Sequence, residues 1–447
     1  MLRPADNVLG PIRRRSPTRI SLYILLPLVL LVPSLTYYLG FASSMALGAC
    51  IAAFVVICAF LVERLTRPDA VQTDRLSMGM MALLLFVVIA LHLTIATFLR
   101  PVDLARATQS FIPLGMILFS GYGLGHLLST SRGADIKRAV YLCFGLMCVL
   151  GLLAFSGYVP PISGNYFKPV FPYTEPSHFA LSFLPLLMFG CVRLRGSAKI
   201  ATLAGGLAMG WALESLTLMV GWFLIASICM RWTAITLLLA LLALVATTLD
   251  LSYYLDRLDF GGDTQNLSTL VYLQGWQLIN ESLTLSAGWG LGFQQMGVQG
   301  SDVVAAELIF AMLGDNANLL DGSFTFAKLT SEFGVLSSVP ILLYLPLAWR
   351  AVQGLRHESH EVGKEAPAIT LAQCVIVCFV VELFVRGSGY FSASTLLFAA
   401  AVTTLSIKRR TPLADGVTAR RRQRRRRLPL PKMGTSDLVL ASSNKST

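Results

Sequence analysis

Glu175 and His178 lie three residues apart in the string Phe171-Pro-Tyr-Thr-Glu-Pro-Ser-His-Phe-Ala180. Residues three apart share a helix face. A helix that starts at Pro176 therefore holds a carboxylate beside an imidazole. Proline suits the first helical position, where its missing N–H costs nothing, and the helix dipole favours a carboxylate at that end. The two could serve as an acid–base pair that moves a proton. The plainer alternative is a capping motif, with Glu175 satisfying the amides of the first turn.

Cations complete the candidate chemistry. Six basic residues stand apart from the basic-rich segments: Arg100, Arg106, Lys168, Arg257, Lys328 and Arg386. Two of the outer cations have acidic residues four positions away: Lys328 with Glu332, and Arg386 with Glu382. Such i,i+4 bridges would be structural only. Glu214 interrupts an apolar run, which is costly unless the carboxylate is paired, faces a polar cavity or sits at a surface turn. His92 stands alone in another apolar run, and a neutral ring hydrogen-bonded to a neighbouring helix is expected. All eight cysteines fall in apolar segments, as small packing residues would. Cys374 and Cys378 are one turn apart, but no further ligand completes a zinc set, and His357 and His360 have no partner motif. The reading therefore includes no metal and no cofactor.

The elements that must position these residues are set by composition. The 447 residues are 55% hydrophobic and only 13% charged, with a mean hydropathy of +0.67. Soluble domains carry about 25% charged residues, so too few ionic side chains remain to cover a soluble globule of this size. That excludes a soluble enzyme, a disordered chain and a disulfide-rich secreted scaffold. An all-α polytopic membrane protein is left, because runs of about 20 apolar residues cross the hydrocarbon.

Twelve candidate spans follow: Ile20–Gly40, Ala42–Val62, Ser77–Leu99, Ser110–Leu128, Ala139–Tyr158, His178–Val192, Ile200–Ala212, Leu216–Met230, Thr233–Leu249, Phe326–Trp349, Ile369–Leu383 and Tyr390–Ile407. The stretch Ala201–Met230 is too long for one simple crossing. It is expected to be two short segments meeting near Glu214, or a re-entrant hairpin of the same sidedness. With an even count, both termini share a side. All but six of the 36 basic residues then lie on that side, the exceptions being Arg100, Arg106, Lys168, Arg257, Lys328 and Arg386. The positive-inside rule makes that side cytoplasmic.

The organisation expected is a cytoplasmic segment 1–19, a transmembrane domain 20–407 and a basic, disordered tail 408–447. Seven arginines within Arg420–Arg427 fit topology and anionic lipid contact better than nucleic acid. Two outer loops stand out, 159–176 and 250–325. The later one is acidic, with Asp256, Asp259, Asp263, Glu281, Asp302, Glu307, Asp315 and Asp321 against Arg257. A loop of this length is usually functional. Within it Leu267–Ile279 reads as a helix with Tyr272 and Trp276 as interfacial anchors. Gly288-Trp-Gly-Leu-Gly292 reads as a tight turn near a bound glycan or lipid headgroup.

The Glu-Pro-Ser-His-Phe-Ala string at the start of a span resembles the motif of bacterial Wzy-type exopolysaccharide polymerases, in the O-antigen polymerase and ligase superfamily. The large late outer loop, the Gly288–Gly292 turn and Ala327-Lys-Leu-Thr-Ser-Glu-Phe-Gly334 are similar to features of the same group. No His precedes Ala327–Gly334, where ligases carry one. Length and the Glu-Pro-Ser-His string look most like xanthan-type polymerases. The resemblance implies a multi-pass GT-C-like glycosyltransferase of the bacterial inner membrane, with both termini cytoplasmic. It would join undecaprenyl-diphosphate-linked oligosaccharide repeats at the periplasmic face, working with chain-length regulator and export proteins. It also implies Glu175 and His178 as catalytic residues, with Lys168, Arg257, Arg386, Arg100, Arg106 and Glu214 binding substrate or diphosphate. The alternatives are an O-antigen-type ligase and a transporter or flippase for the same lipid-linked sugar.

Overall fold

The structure is a computed structural model. It describes residues 18–42, 44–66, 75–158, 169–231, 266–299, 302–314, 323–361, 363 and 365–408, with isolated positions at 233, 236 and 240. Among them every regular element is a helix, and strand-like pairing is confined to two isolated bridges. The helices are α1 Thr18–Tyr38, α2 Ala46–Thr66, α3 Arg75–Leu99, α4 Leu104–Thr130, α5 Gly133–Phe155, α6 Pro176–Arg193, α7 Gly196–Ala212, α8 Leu216–Cys229, α9 Leu267–Leu285, α10 Val304–Leu313, α11 Thr325–Phe333, α12 Ser338–His360, α13 Pro367–Phe384 and α14 Ala393–Lys408. The chain divides into a helical body, 1–405, and a unit 406–447, whose described part is the last turn of α14.

Five of these segments are long and apolar enough to cross a membrane: α2, α4, α5, α13 and the run from α11 through α12. Shorter apolar helices accompany them, including α8 and α14. Large apolar side chains stay exposed in rows, such as Val339, Leu342, Leu343 and Trp349 on α12 and Leu84, Val87, Val88 and Leu91 on α3. Soluble surfaces do not carry such patches, and the protein is membrane-embedded. Thr233–Leu249, the ninth expected span, lies almost wholly outside the described residues.

The body is built around α6 and α13. Nearly every residue from Phe179 to Arg193 is buried, as is 78% of α13, against 17% of the segment containing α12. These two central helices pack against each other and are tied at both ends. At one end Arg193 pairs with Glu358 of α12 and donates to the Glu365 carbonyl just before α13 (3.1 Å). Glu358 also accepts from the backbone N–H groups of Gly363 and Glu365 (2.7 and 2.9 Å). Lys199 joins this end through Ser359 (2.6 Å), and Arg356 through the Ser227 carbonyl (3.3 Å). The other end of α6, about 27 Å away for 18 residues, carries Glu175.

Close approaches explain two further joints. Gly121 and Gly125 of α4 face α14. A Cβ on Gly121 would lie 2.5 Å from Ala399 Cβ, and one on Gly125 2.5 Å from the Ala400 carbonyl oxygen. Small residues four apart let membrane helices touch backbone to backbone, and Thr404 adds a hydrogen bond to the Gly125 carbonyl (3.2 Å). The second joint corrects the span expected at Phe326–Trp349. The helix breaks at Gly334, whose φ is +55°, passes through a 3-10 turn and resumes as α12, which runs eleven residues beyond Trp349 to His360. The break arises because the Gly288–Gly292 turn docks there. Leu291 and Gly292 donate to the carbonyls of Ser331 and Glu332 (2.9 Å each), and Val335 donates to that of Gly288 (2.9 Å). A side chain on Gly334 would collide with the Gly288 carbonyl at 2.1 Å. The glycine turn therefore meets backbone there.

Ala201–Met230 is two helices, α7 and α8, packed on each other. They break at Glu214, which has a φ of +50°, and Ser215 caps α8 by accepting from Leu218 N–H (3.3 Å). α4 starts six residues earlier than expected, capped by Asp103, and α14 starts at Ala393 rather than Tyr390.

Candidate functional site: an ion pair at the start of α6

The segment before α6 is fixed by its own turn and by α1. Val170 and Tyr173 exchange two backbone hydrogen bonds (3.0 and 2.6 Å). The buried Tyr173 hydroxyl donates to the Leu30 carbonyl of α1 (3.1 Å), and Phe171 packs edge-on against Tyr38. α6 then begins at Pro176, with Glu175 in extended backbone as its N-cap residue.

The Glu175 carboxylate makes no side-chain cap bond to the helix, which sets aside the plain capping alternative. It accepts from Arg386 Nη2 with both oxygens (3.1 and 2.8 Å) and from the Ser177 hydroxyl (2.7 Å). Glu175 and Arg386 keep 32% and 16% of their side-chain surface exposed, so the pair is reachable. Burial by itself raises the Glu175 carboxyl. The Arg386 guanidinium, then His178 and the Ser177 hydroxyl outweigh it and hold its pKa at about 2. His178 is half-buried one turn into α6 and its Nδ1 has no hydrogen-bond partner. Arg386 spends Nη2 on Glu175, while its Nε is buried without a partner.

Arg386 reaches this place because the chain after α13 is pinned at several points. The N–H groups of Val385 and Arg386 both donate to the Val381 carbonyl (2.8 and 3.0 Å). Gly387 N–H donates to the Ser323 carbonyl (2.9 Å), and its Cα sits so close to Thr325 N that a Cβ would meet it at 2.8 Å. The expected Arg386–Glu382 bridge is therefore not formed. Arg386 crosses to α6, and Glu382 accepts instead from Ser392 (3.2 Å).

A second charged cluster lies along α11, which is joined to the first by the loop 385–392. Lys328, 2% exposed, holds its ammonium 5.2 Å from the Tyr390 ring centre. Glu332, fully buried, feels the positive charge of Lys328 and also that of Arg106, and Tyr390 lies beside it. Both carboxylate oxygens of Glu332 are buried without a hydrogen-bond partner, so the expected Lys328–Glu332 bridge is not among the ion pairs of the described residues.

Among the other expected site residues, Arg106 lies in the first turn of α4, where its backbone N–H donates to the Asp103 carboxylate (3.0 Å). Arg100 donates to the Leu285 carbonyl at the end of α9 (2.7 Å). Glu214 sits half-exposed at the α7–α8 turn. Lys168 and Arg257 lie outside the described residues. His92 stacks on Trp289 (ring centres 5.2 Å apart) and bonds its carbonyl through Nε2 (3.0 Å), so its partner is the glycine turn rather than a neighbouring helix. Trp276 and Tyr272 pack on Phe324, with ring centres 5.3 and 5.1 Å away. Sequence reasoning passed over Ser177 and Tyr390, because a serine and a tyrosine in these strings carry no pattern that separates a site residue from an ordinary one.

The chain matches no family model and no curated protein.

Proposed function

We propose that the protein is a Wzy-type polysaccharide polymerase. On this reading it is a GT-C-like, twelve-span inner-membrane enzyme with both termini in the cytoplasm. It joins undecaprenyl-diphosphate-linked repeats at the periplasmic face. One observation carries the reading: a half-exposed carboxylate and imidazole at a helix start, with a guanidinium bonded to that same carboxylate.

In the reaction, a hydroxyl of the acceptor repeat attacks the anomeric carbon of the donor chain. The new C–O bond forms as the C–O bond to the lipid diphosphate breaks, and the hydroxyl proton passes to the base. Arg386 takes up charge on the departing diphosphate, since a guanidinium is a strong partner for phosphate oxygens. Glu175, held ionised by Arg386 at rest, is a weak base. A bound diphosphate competes for the guanidinium, and the carboxylate released from it recovers basicity beside the acceptor hydroxyl. His178 orients the carboxylate. Sidedness is supported by Arg193, Lys199 and Arg356 gathering at the end of α6 away from Glu175, as a cytoplasmic end requires.

The test uses purified protein in detergent with lipid-linked repeats. A polymerase yields a ladder of lengthened glycans, a flippase leaves every repeat single, and a ligase extends only when a different acceptor is added. Glu175→Gln is expected to reduce extension by roughly a hundredfold or more, the scale of lost acid–base catalysis, with normal protein level. Extension near wild type in that variant removes Glu175 as base.

A further inference from the structure

Glu382 lies in the last turn of α13 and is 1% exposed. A carboxylate inside a membrane helix is costly unless its charge is compensated. The cation that local spacing offers, Arg386, is bonded to Glu175 instead. Hydroxyl oxygens from the start of α14 lie on one side of Glu382, and apolar side chains on the other. Ser392 Oγ lies 3.2 Å from Oε1. Ser394 Oγ and Thr395 Oγ1 lie 3.1 and 3.0 Å from Ser392 Oγ. Ser392 already serves as the cap of α14, accepting from Thr395 N–H (3.2 Å). Glu382 Oε2 is buried with no hydrogen-bond partner. A small cavity bounded by Glu382 and Ser394, and walled by Leu181, Pro185, Cys378 and Leu397, adjoins the group.

We propose that Glu382, Ser392, Ser394 and Thr395 form a binding site for one sodium ion. Hard cations take oxygen ligands, and this set holds neither nitrogen nor sulfur. One carboxylate balances one positive charge, whereas a divalent ion would leave a net charge in the bilayer. Ligand oxygens held at about 2.4 Å from a hard cation are roughly 3.4 Å from their neighbours, close to the 3.0–3.2 Å spacings observed. The ion accounts for the unpartnered Oε2, which the hydroxyls alone leave unserved. Its ligands come from both ends of the loop 385–392, so the bound ion also closes the loop that presents Arg386. That last consequence rests on the proposed function, while the binding itself does not.

The full chain in detergent is melted at mildly alkaline pH in sodium, potassium or choline chloride at equal ionic strength, and radioactive sodium binding is measured alongside. Sodium is expected to raise the melting temperature by several degrees over choline, saturably, with one ion bound per chain. Glu382→Gln is expected to lose that increment and the bound ion while melting as wild type does in choline, and Ser392→Ala to lose both from a lower baseline, because it also removes the cap of α14. Equal melting of wild type in all three salts overturns the site, as does an increment that survives in Glu382→Gln. An increment equal in sodium and potassium overturns the choice of ion. If Glu382→Gln fails to fold, the absence of saturable sodium binding by wild type is by itself decisive against the site. Glycan extension plays no part in these readouts, so failure of the polymerase reading leaves them intact.

Discussion

The surroundings of Glu175 change its chemistry. Its carboxyl is held at about 2, against an ordinary value near 4.5. A group depressed in the folded state stabilises it above the unfolded value, and that stability is lost as pH falls through the folded value. The contribution of the pair is therefore full above about pH 4.5 and gone near pH 2. Wild type is expected to melt higher than Glu175→Gln at neutral pH, with the two converging as pH falls through that window. A constant gap between the two melting curves from pH 7 to pH 3 would show that the ion pair contributes nothing. Ser177 matters here for a reason visible only in three dimensions. It follows Pro176, so its hydroxyl turns back on Glu175 and narrows the orientations open to the carboxylate.

Among elements, α6 and α13 are the frame. Both are buried over most of their length, which denies them lipid contact and makes their alignment depend on neighbours. The two ties at their ends set that alignment: Glu175 with Arg386, and Arg193 with Glu358 and the Glu365 carbonyl. Removing one partner of a buried ion pair leaves an uncompensated charge and costs about 3–5 kcal/mol. Glu358→Ala is accordingly expected to lower the melting temperature strongly, and the double variant Arg193→Met, Glu358→Met is expected to recover part of that loss. If the double variant is no more stable than Glu358→Ala, the cost does not come from the stranded arginine. α11 and the Gly288–Gly292 turn meet backbone to backbone at Gly334, and this joint fixes where Lys328 and Glu332 stand. The glycines were visible in the sequence, but their partner was not, because a glycine permits a close approach without naming what approaches.

For the whole molecule, topology is the property on which the site's meaning depends. Reporter fusions at Gly300 are expected to report the periplasm, and fusions after Arg410 the cytoplasm. The reverse at either point would put Glu175 and Arg386 on the wrong side for a lipid-linked donor. Composition determined that the chain lives in a bilayer, because apolar surface without charge has no other stable home, and apolar runs of about 20 residues determined that it is helical. Local rules also determined that α6 starts at Pro176, since proline at a first turn and an extended residue before it are nearest-neighbour effects. Tertiary structure alone decided which acid Arg386 meets. The string offers Glu382, four residues back, by helix spacing, and gives no sign of Glu175, 211 positions earlier. The choice fell to Glu175 because the chain after α13 is pulled off its helix by Ser323 and Thr325. Direction in space, unlike spacing along a helix, is set by what the rest of the molecule packs against.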